Sequence, residues 1–228
     1  PIINQKKSAF NIREILDSGK IFLVNLSKGK IGEVNSHLLG MILVSKMQMA
    51  AFSRADIPED QRRDFYLYVD EFQNFTTDSF ATILSEARKY RLDLAITNQY
   101  IAQLTEKIRD AVLGNAGTLI VYRIGAQDAE YMAKEFPGIS ESDMVNLDRF
   151  NTYTKLLIEG TPSRPFSMRG LKSQTPPNPQ IAQYVRDVSR QKYARPKVEV
   201  EKEITIHLAK TATAHSEANA VTAPREEA

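Results

Sequence analysis

A short run of strand-forming residues that ends in two adjacent acids constrains this chain more than any other feature. The run at 65–69, Phe-Tyr-Leu-Tyr-Val, is aromatic and branched, a composition typical of a short buried strand. It is followed directly by Asp70 and Glu71. Carboxylates are costly inside a protein core, so an acid pair fixed at the end of a buried strand requires a reason.

The strand is the first part of a strand–helix–strand unit. Residues 78–90 have the apolar periodicity of a helix, and residues 92–97 predict a second buried strand that leads to Gln99. Helical crossovers join parallel strands, and open α/β sheets bind ligands outside the carboxyl ends of their strands. We therefore expect Asp70, Glu71 and Gln99 on one rim of one sheet. The alternative is that the two acids merely cap the helix that follows.

The acid pair has the form of a Walker B element. In phosphate-handling sheets the first acid holds Mg²⁺, directly or through water, and the second polarises the attacking water. Asp70 would take the first of these roles and Glu71 the second. The neutral amide of Gln99 can position a water, or it can simply satisfy backbone groups at a strand end.

Three motifs in order carry a resemblance to a known superfamily. They are Phe-Tyr-Leu-Tyr-Val-Asp-Glu-Phe at 65–72, Ser-Glu-Ala-Arg-Lys-Tyr at 85–90 and Leu-Ala-Ile-Thr-Asn-Gln-Tyr at 94–100. Together they resemble the FtsK/HerA superfamily of ring ATPases, and most of all the type IV secretion and conjugative coupling ATPases. The resemblance covers roughly residues 21–135. It implies that Asp70 is the Mg²⁺-associated acid, Glu71 the catalytic glutamate and Gln99 the residue that senses the γ-phosphate.

The resemblance also implies that Arg88 is an arginine finger, offered to the nucleotide of a neighbouring subunit. Arg88 lies at the predicted end of a helix, where the dipole favours any solvated cation. A finger requires a planar and permanently charged donor, which Arg supplies and Lys does not. Lys89 and Arg91 are rivals for this role, and Arg123, at the end of another predicted strand, is a second candidate for the trans-acting arginine.

A phosphate-binding loop of the form Gly-x-x-x-x-Gly-Lys-[Ser/Thr] does not occur in the sequence. The chain begins with Pro1. Our interpretation is that the sequence is the C-terminal portion of a longer ATPase whose Walker A loop lies upstream. We expect the fragment alone to bind ATP weakly and to be inactive, although the full-length chain would be an ATPase.

The predicted fold is an α/β, RecA-like P-loop NTPase core that is incomplete at its N-terminus. It has a mostly parallel sheet flanked by helices and occupies residues 1–171, while residues 172–228 form a charged helix or linker and a disordered tail. Further buried strands are predicted at 21–26 and 117–122, and two final strands at 151–159 and 164–168. Residues 54–63 are predicted to be an exposed connection, 198–208 permit a strand, and 211–228 are too polar to predict order.

Composition excludes several other classes of function. The chain has no cysteine, so neither a disulfide framework nor a thiolate metal site is available. His37, His207 and His215 show no metal-ligand spacing. No signal peptide or membrane span is recognisable, so we expect a cytoplasmic segment, or one held at the inner membrane through upstream sequence or partners. The net charge of +2 neither demands nor excludes nucleic acid.

These observations predict a reaction that uses ATP and Mg²⁺. We expect hydrolysis coupled to DNA translocation through a homo-hexameric ring in conjugation or type IV secretion. The partners would be other copies of the chain, DNA, and a secretion-channel or membrane-anchored protein. Two alternatives remain, a secretion ATPase for pilus assembly or protein export, and a non-hydrolysing module that partners a ring.

Overall fold

The chain divides into two compact units. One contains residues 12–173, and the other contains residues 1–11 and 174–228. The computed structural model describes residue 5 and residues 7–221, with the side chains of these residues except 78, 79 and 210–221. The predicted division at 171/172 into an ATPase part and a tail stays a prediction.

A parallel strand pair lies at the centre of the larger unit. Strands β1 (Phe65–Val69) and β2 (Leu92–Ile96) pair in register from Phe65 opposite Leu92 to Val69 opposite Ile96. They are joined by helix α4 (Asp78–Glu86) and a 3-10 turn at Ala87–Tyr90. The predicted strand–helix–strand unit is therefore confirmed, and it brings the carboxyl ends of both strands to one rim.

Four further helices of the same unit lie before or after the strand pair. They are α1 (Ile12–Ser18), α2 (Lys28–Ile31), α3 (Glu33–Phe52) and α5 (Glu106–Asn115). Helix α1 ends at Gly19, whose φ of +65° is a conformation that glycine adopts without strain. The buried core joins α1, α3, α4 and α5 to both strands. Within the described part of the chain, no helix is both long and apolar enough to cross a bilayer.

The predicted buried strand at 21–26 is wrong in this structure. The segment joins no sheet, and Ile21, Leu23 and Val24 are exposed by 89%, 79% and 46%. A groove of about 920 Å³ is lined by this segment, β1 and α3. A strand requires a neighbouring strand that pairs with its backbone groups. Beside β1, the structure has this groove and not a paired strand from residues 21–26.

The connection at 54–63 is polar as predicted, but it is not exposed throughout. Arg54 is fully buried. Its Nε donates to Asp17 Oδ1 at 2.9 Å, and its Nη1 donates to the carbonyl oxygens of Arg63 at 3.0 Å and Tyr90 at 2.9 Å. These acceptors satisfy Nε and Nη1, while Nη2 is buried without a hydrogen-bond partner among the described residues. The guanidinium thereby ties together the segments that enter β1 and β2.

The remainder of the larger unit forms a separate antiparallel sheet. Its strand order is β3-β4-β7, and a short hairpin pairs β5 with β6. The elements in chain order are β3 (Leu119–Val121), α6 (Ala126–Glu135), α7 (Glu141–Val145), β4 (Asn151–Lys155), β5 (Leu157–Ile158), β6 (Thr161–Pro162) and β7 (Phe166–Arg169). The α/β class holds, but the predicted mostly parallel sheet does not, since only β1 and β2 are parallel among the described residues.

The described part of the smaller unit contains two helices, α8 (Pro179–Tyr193) and α9 (Lys197–Val221). The predicted charged helix is confirmed by α8, but the strand at 198–208 is wrong. Helical spacing there places Lys197 Nζ 3.5 Å from Glu201 Oε1, a pairing that a strand would not allow. The predicted disordered tail at 211–228 is helical to Val221, and residues 222–228 lie outside the described residues.

Candidate nucleotide-hydrolysis site

The two acids lie at the carboxyl end of β1, where the chain turns sharply. Glu71 adopts the left-handed conformation, with φ 52° and ψ 46°, and a 3-10 turn follows at Phe72–Asn74. The Phe72 side chain is 1% exposed and packs against Phe80, with ring centroids 5.8 Å apart. Because this aromatic anchor is buried, the two acids before it are held at the rim of the strand pair.

Hydrogen bonds join the two strand ends at this rim. The backbone N–H of Thr97 donates to Val69 O, and that of Phe72 donates to Thr97 O, both at 3.0 Å. The Thr97 hydroxyl donates to Asp70 Oδ1 at 2.5 Å, and the Glu71 backbone N–H donates to the same oxygen at 3.1 Å. The Asp70 carboxylate is therefore oriented from both strands.

The Glu71 carboxylate is held by two neutral amides. Gln99 Nε2 donates to Glu71 Oε1 at 2.5 Å, and Gln73 Nε2 donates to Glu71 Oε2 at 2.6 Å. The structure thus brings Asp70, Glu71 and Gln99 together, as their positions after parallel strands predict. Their catalytic roles stay predictions.

The alternative role for the acids, as caps of the next helix, has no support in this geometry. Thr77 is the N-cap residue of α4, and Glu71 makes no capping bond through its side chain to the turn that follows it. Among the residues that the structure describes, neither Asp70 nor Glu71 forms an ion pair. Two adjacent carboxylates without a cationic partner favour an incoming cation or a polarised water.

Arg88 lies at the opposite end of the strand pair. It belongs to the 3-10 turn that precedes β2, whereas Gln99 follows β2. Five strand residues at about 3.3 Å each separate the two ends by roughly 16 Å. The structure therefore does not bring Arg88 to the acid pair of its own chain.

A charged cleft of about 320 Å³ surrounds Arg88 at this end. It is lined by Glu59, Asp64, Arg88, Arg91 and Asp93. Arg91 Nη1 lies 3.4 Å from Asp64 Oδ1. Burial, and then the negative charge of Asp64, raise the pKa of Asp93 above its usual range, and Arg91 and Arg88 offset part of that rise.

Arg123, the second candidate for the trans-acting arginine, is exposed just beyond β3. Strand β3 belongs to the antiparallel sheet and not to the parallel pair that carries the acids. Arg123 therefore shares no sheet edge with Asp70 and Glu71, and its role stays a prediction.

Three polar residues of the site were missed by the sequence analysis: Gln73, Asn74 and Thr97. All three lie within or directly beside the quoted motifs, which is the one signal that pointed to them. They are neutral hydrogen-bonding residues that could serve any turn, so their residue types alone indicate no chemistry. Only the contacts to Asp70 and Glu71 reveal their part in the site.

The donor set suits Mg²⁺ held together with phosphate. Mg²⁺ prefers oxygen ligands and uses one or two carboxylates, with water and substrate phosphate completing its octahedron. Asp70 is an exposed carboxylate, and the Thr97 hydroxyl beside it is a second oxygen. In the described part of the chain no group of three His, Cys, Asp or Glu residues could hold a metal by itself. The residues present therefore fit a nucleotide-bound ion.

Comparison with known families places the acid rim inside a recognised segment. Residues 64–138 match the family described as the TraM recognition site of TraD and TraG. This match spans about a third of the chain and contains Asp70, Glu71, Arg88 and Gln99. Over that segment the resemblance to conjugative coupling ATPases is confirmed.

Solved structures give more distant likenesses. The bacterial conjugative coupling protein TrwB, in an unbound monoclinic form, is 16% identical with a TM-score of 0.49, over 58% of this chain and 36% of its own. TrwB with the non-hydrolysable GTP analogue GDPNP is 16% identical with a TM-score of 0.49, over 61% and 39%. The genome packaging NTPase B204 of Sulfolobus turreted icosahedral virus 2, with AMPPCP, is 12% identical with a TM-score of 0.47, over 73% and 74%.

The chain spans well under half the length of the TrwB chains that it matches. No curated protein sequence matches it significantly.

Proposed function

We propose that this chain carries the acid rim of an ATP-hydrolysing site in a RecA-like ring ATPase. The observation that carries the proposal is the meeting of Asp70, Glu71 and Gln99 at one rim, with Gln99 Nε2 only 2.5 Å from Glu71 Oε1. The residues lie outside the carboxyl ends of parallel strands, where α/β sheets bind their ligands.

The arrangement assigns a separate task to each residue. Asp70, fixed by the Thr97 hydroxyl, would hold Mg²⁺ directly or through water, and bound Mg²⁺ neutralises charge on the phosphates. Glu71 would accept a proton from water and orient that water for attack, and its carboxylate is already oriented by two amides. Gln99, beside that carboxylate, would respond to the γ-phosphate.

The place of Arg88 supports a role in trans. An arginine roughly 16 Å from its own acid pair, across a five-residue strand, cannot stabilise charge there. It is exposed at the opposite end of the strand pair, where a neighbouring subunit can approach it. We propose that Arg88 completes the nucleotide site of the next subunit in a homo-hexameric ring.

The family match supports a biological setting. As part of an intact protein, the chain would couple ATP hydrolysis to DNA translocation in conjugation or type IV secretion, on the cytoplasmic side. Alternatives in the same class are pilus assembly and protein export. The description of the matched family, a TraM recognition site, favours a second candidate function, in which residues 64–138 bind a protein partner.

Glu71→Gln in the intact natural protein tests the proposal. The substitution is nearly isosteric and removes the proton acceptor, so turnover should fall by about 10² to 10⁴-fold while nucleotide affinity is retained. Glu106→Gln, the same change at an 84% exposed glutamate of α5, is the matched control and should keep wild-type turnover. Wild-type turnover in Glu71→Gln would refute the assignment.

A further inference from the structure

The backbone of Glu71 is held in its left-handed conformation by Asn74. A non-glycine residue with φ 52° is in a conformation that costs roughly 1–2 kcal/mol and needs support from its surroundings. The Asn74 backbone N–H donates to Glu71 O at 3.0 Å, and Asn74 Nδ2 donates to the same oxygen at 3.1 Å. Asn74 thus closes the turn twice, once through its backbone and once through its side chain.

Asn74 is in turn oriented by a lysine from a distant segment. Lys28, the first residue of α2, lies 46 positions earlier in the chain, and its Nζ is 3.2 Å from Asn74 Oδ1. An ammonium group can only donate, so it selects the orientation in which the amide oxygen faces Lys28. That orientation leaves Nδ2 facing Glu71 O. Lys28 Nζ also donates to Glu33 Oε1 at 2.8 Å, and this contact fixes the side chain from the other side.

We propose that Lys28 and Asn74 are positioning residues for Glu71. They form a relay in which Lys28 sets the orientation of the Asn74 amide and Asn74 sets the backbone of the catalytic glutamate. The inference rests on the proposed function of Glu71. The relay links Lys28, in helix α2, to the acid rim. Neither Lys28 nor Asn74 belongs to the three sequence motifs.

The relay should affect turnover far more than stability. Lys28 and Glu33 are half to two-thirds exposed, with side-chain accessibilities of 47% and 68%, and exposed pairs contribute little to folding. The rate of turnover is more sensitive than stability to such contacts, because a displacement of a catalytic group by about 1 Å can lower a rate by 10²-fold. The expected signature is therefore a fall in kcat with an unchanged KM and an unchanged melting temperature.

Two substitutions in the intact natural protein test opposite ends of the relay. Lys28→Met removes the donor and should lower kcat by about tenfold or more. The side chain of Asn74→Asp still accepts from Lys28 but can no longer donate to Glu71 O, so this variant should lower kcat by at least as much. The matched control is Lys30→Met, in the same short helix, which should leave kcat unchanged.

The double variant Lys28→Met/Asn74→Ala separates a relay from two independent contacts. In a relay its kcat should be no lower than that of Asn74→Ala alone, because Lys28 acts only through Asn74. If the fold-loss of kcat in the double variant equals the product of the losses in the two single variants, the inference is overturned. A loss of kcat in Lys28→Met that is matched by a lower melting temperature or a weaker nucleotide affinity would also overturn it.

Glu71→Gln, assayed alongside, distinguishes this inference from the proposed function. If Glu71→Gln abolishes turnover and Lys28→Met has wild-type kcat, the relay is wrong and the site stands. If Glu71→Gln has wild-type turnover, the proposed function itself is wrong, and the relay falls with it.

Discussion

The two ends of the β1–β2 pair carry opposite electrostatic arrangements. At the carboxyl end, Asp70 and Glu71 are held by the neutral donors Thr97, Gln99 and Gln73. At the amino end, acids and arginines line one cleft together, and Arg91 Nη1 lies 3.4 Å from Asp64 Oδ1. The same two strands therefore present uncompensated negative charge at one end and mixed charge at the other.

This difference indicates what each end can bind. Neutral donors orient a carboxylate without cancelling its charge, so the carboxyl end favours a cation or a polarised water. At the amino end the charges partly offset one another, and within the described part of the chain Arg88 forms no ion pair. Arg88 is thus a permanently charged donor available to an external anion.

Removal of Arg88 should have the largest effect at the amino end. Arg88→Ala in the intact protein is expected to lower turnover by about 10³-fold or more, the scale associated with an arginine that stabilises transferring phosphate. ATP affinity and assembly should be largely retained. Lys89→Ala, at the adjacent exposed cation, is the control and should keep most activity. A larger loss in Lys89→Ala than in Arg88→Ala would reverse the assignment.

Loss of the Arg54 guanidinium should destabilise the amino end of the strand pair, where its Nη1 also lies 3.3 Å from the carbonyl oxygen of Arg91. Arg54→Met keeps the apolar stem but removes the donor to Asp17 Oδ1 and to the carbonyl groups of Arg63 and Tyr90. The expected loss of unfolding free energy is about 3 kcal/mol, measured as a shift in the urea midpoint. A shift equivalent to less than about 0.5 kcal/mol, the size typical of surface substitutions, would show that Arg54 does not tie the strands together.

The smallest expected effect concerns Asp93, whose pKa is raised by burial and by Asp64. The folded state holds this proton more tightly than the unfolded state, whose pKa is about 3.9, so stability falls as pH rises above that value. Asp93→Asn should therefore raise the melting temperature at pH 7, and the gain should vanish near pH 3. The control Asp60→Asn, at an exposed acid of the 54–63 connection, should give no such gain. An equal gain at both pH values would contradict the charge argument.

Local pattern was sufficient to predict the part of the fold that carries the acid rim. The apolar periodicity of α4 and the strand character of β1 and β2 are strong and contiguous, and a helical crossover requires the two strands to be parallel. The proximity of Glu71 to Gln99 follows from that connection alone. The neutral donors Gln73 and Thr97 could not be predicted, because their residue types occur in any turn.

Long-range pairing is where the sequence analysis failed. The residues at 21–26 have strand composition, but composition does not supply a neighbouring strand, and the segment joins no sheet in the structure. Strands β3, β4 and β7 were recognised, yet no local signal assigned them to a separate antiparallel sheet. Arg54 was placed in an exposed connection because nothing in its neighbourhood reveals that Asp17 and Tyr90, far away in sequence, accept hydrogen bonds from it.

Mixing two inactive variants tests most directly whether the two ends act in different subunits. Glu71→Gln has a defective site but an intact finger, and Arg88→Ala has an intact site but no finger. In mixed rings, some interfaces join the intact site to the intact finger, so activity should exceed that of either variant alone and peak near equal proportions. Activity that never rises above the proportional average of the two separate variants, at any ratio, would contradict the account.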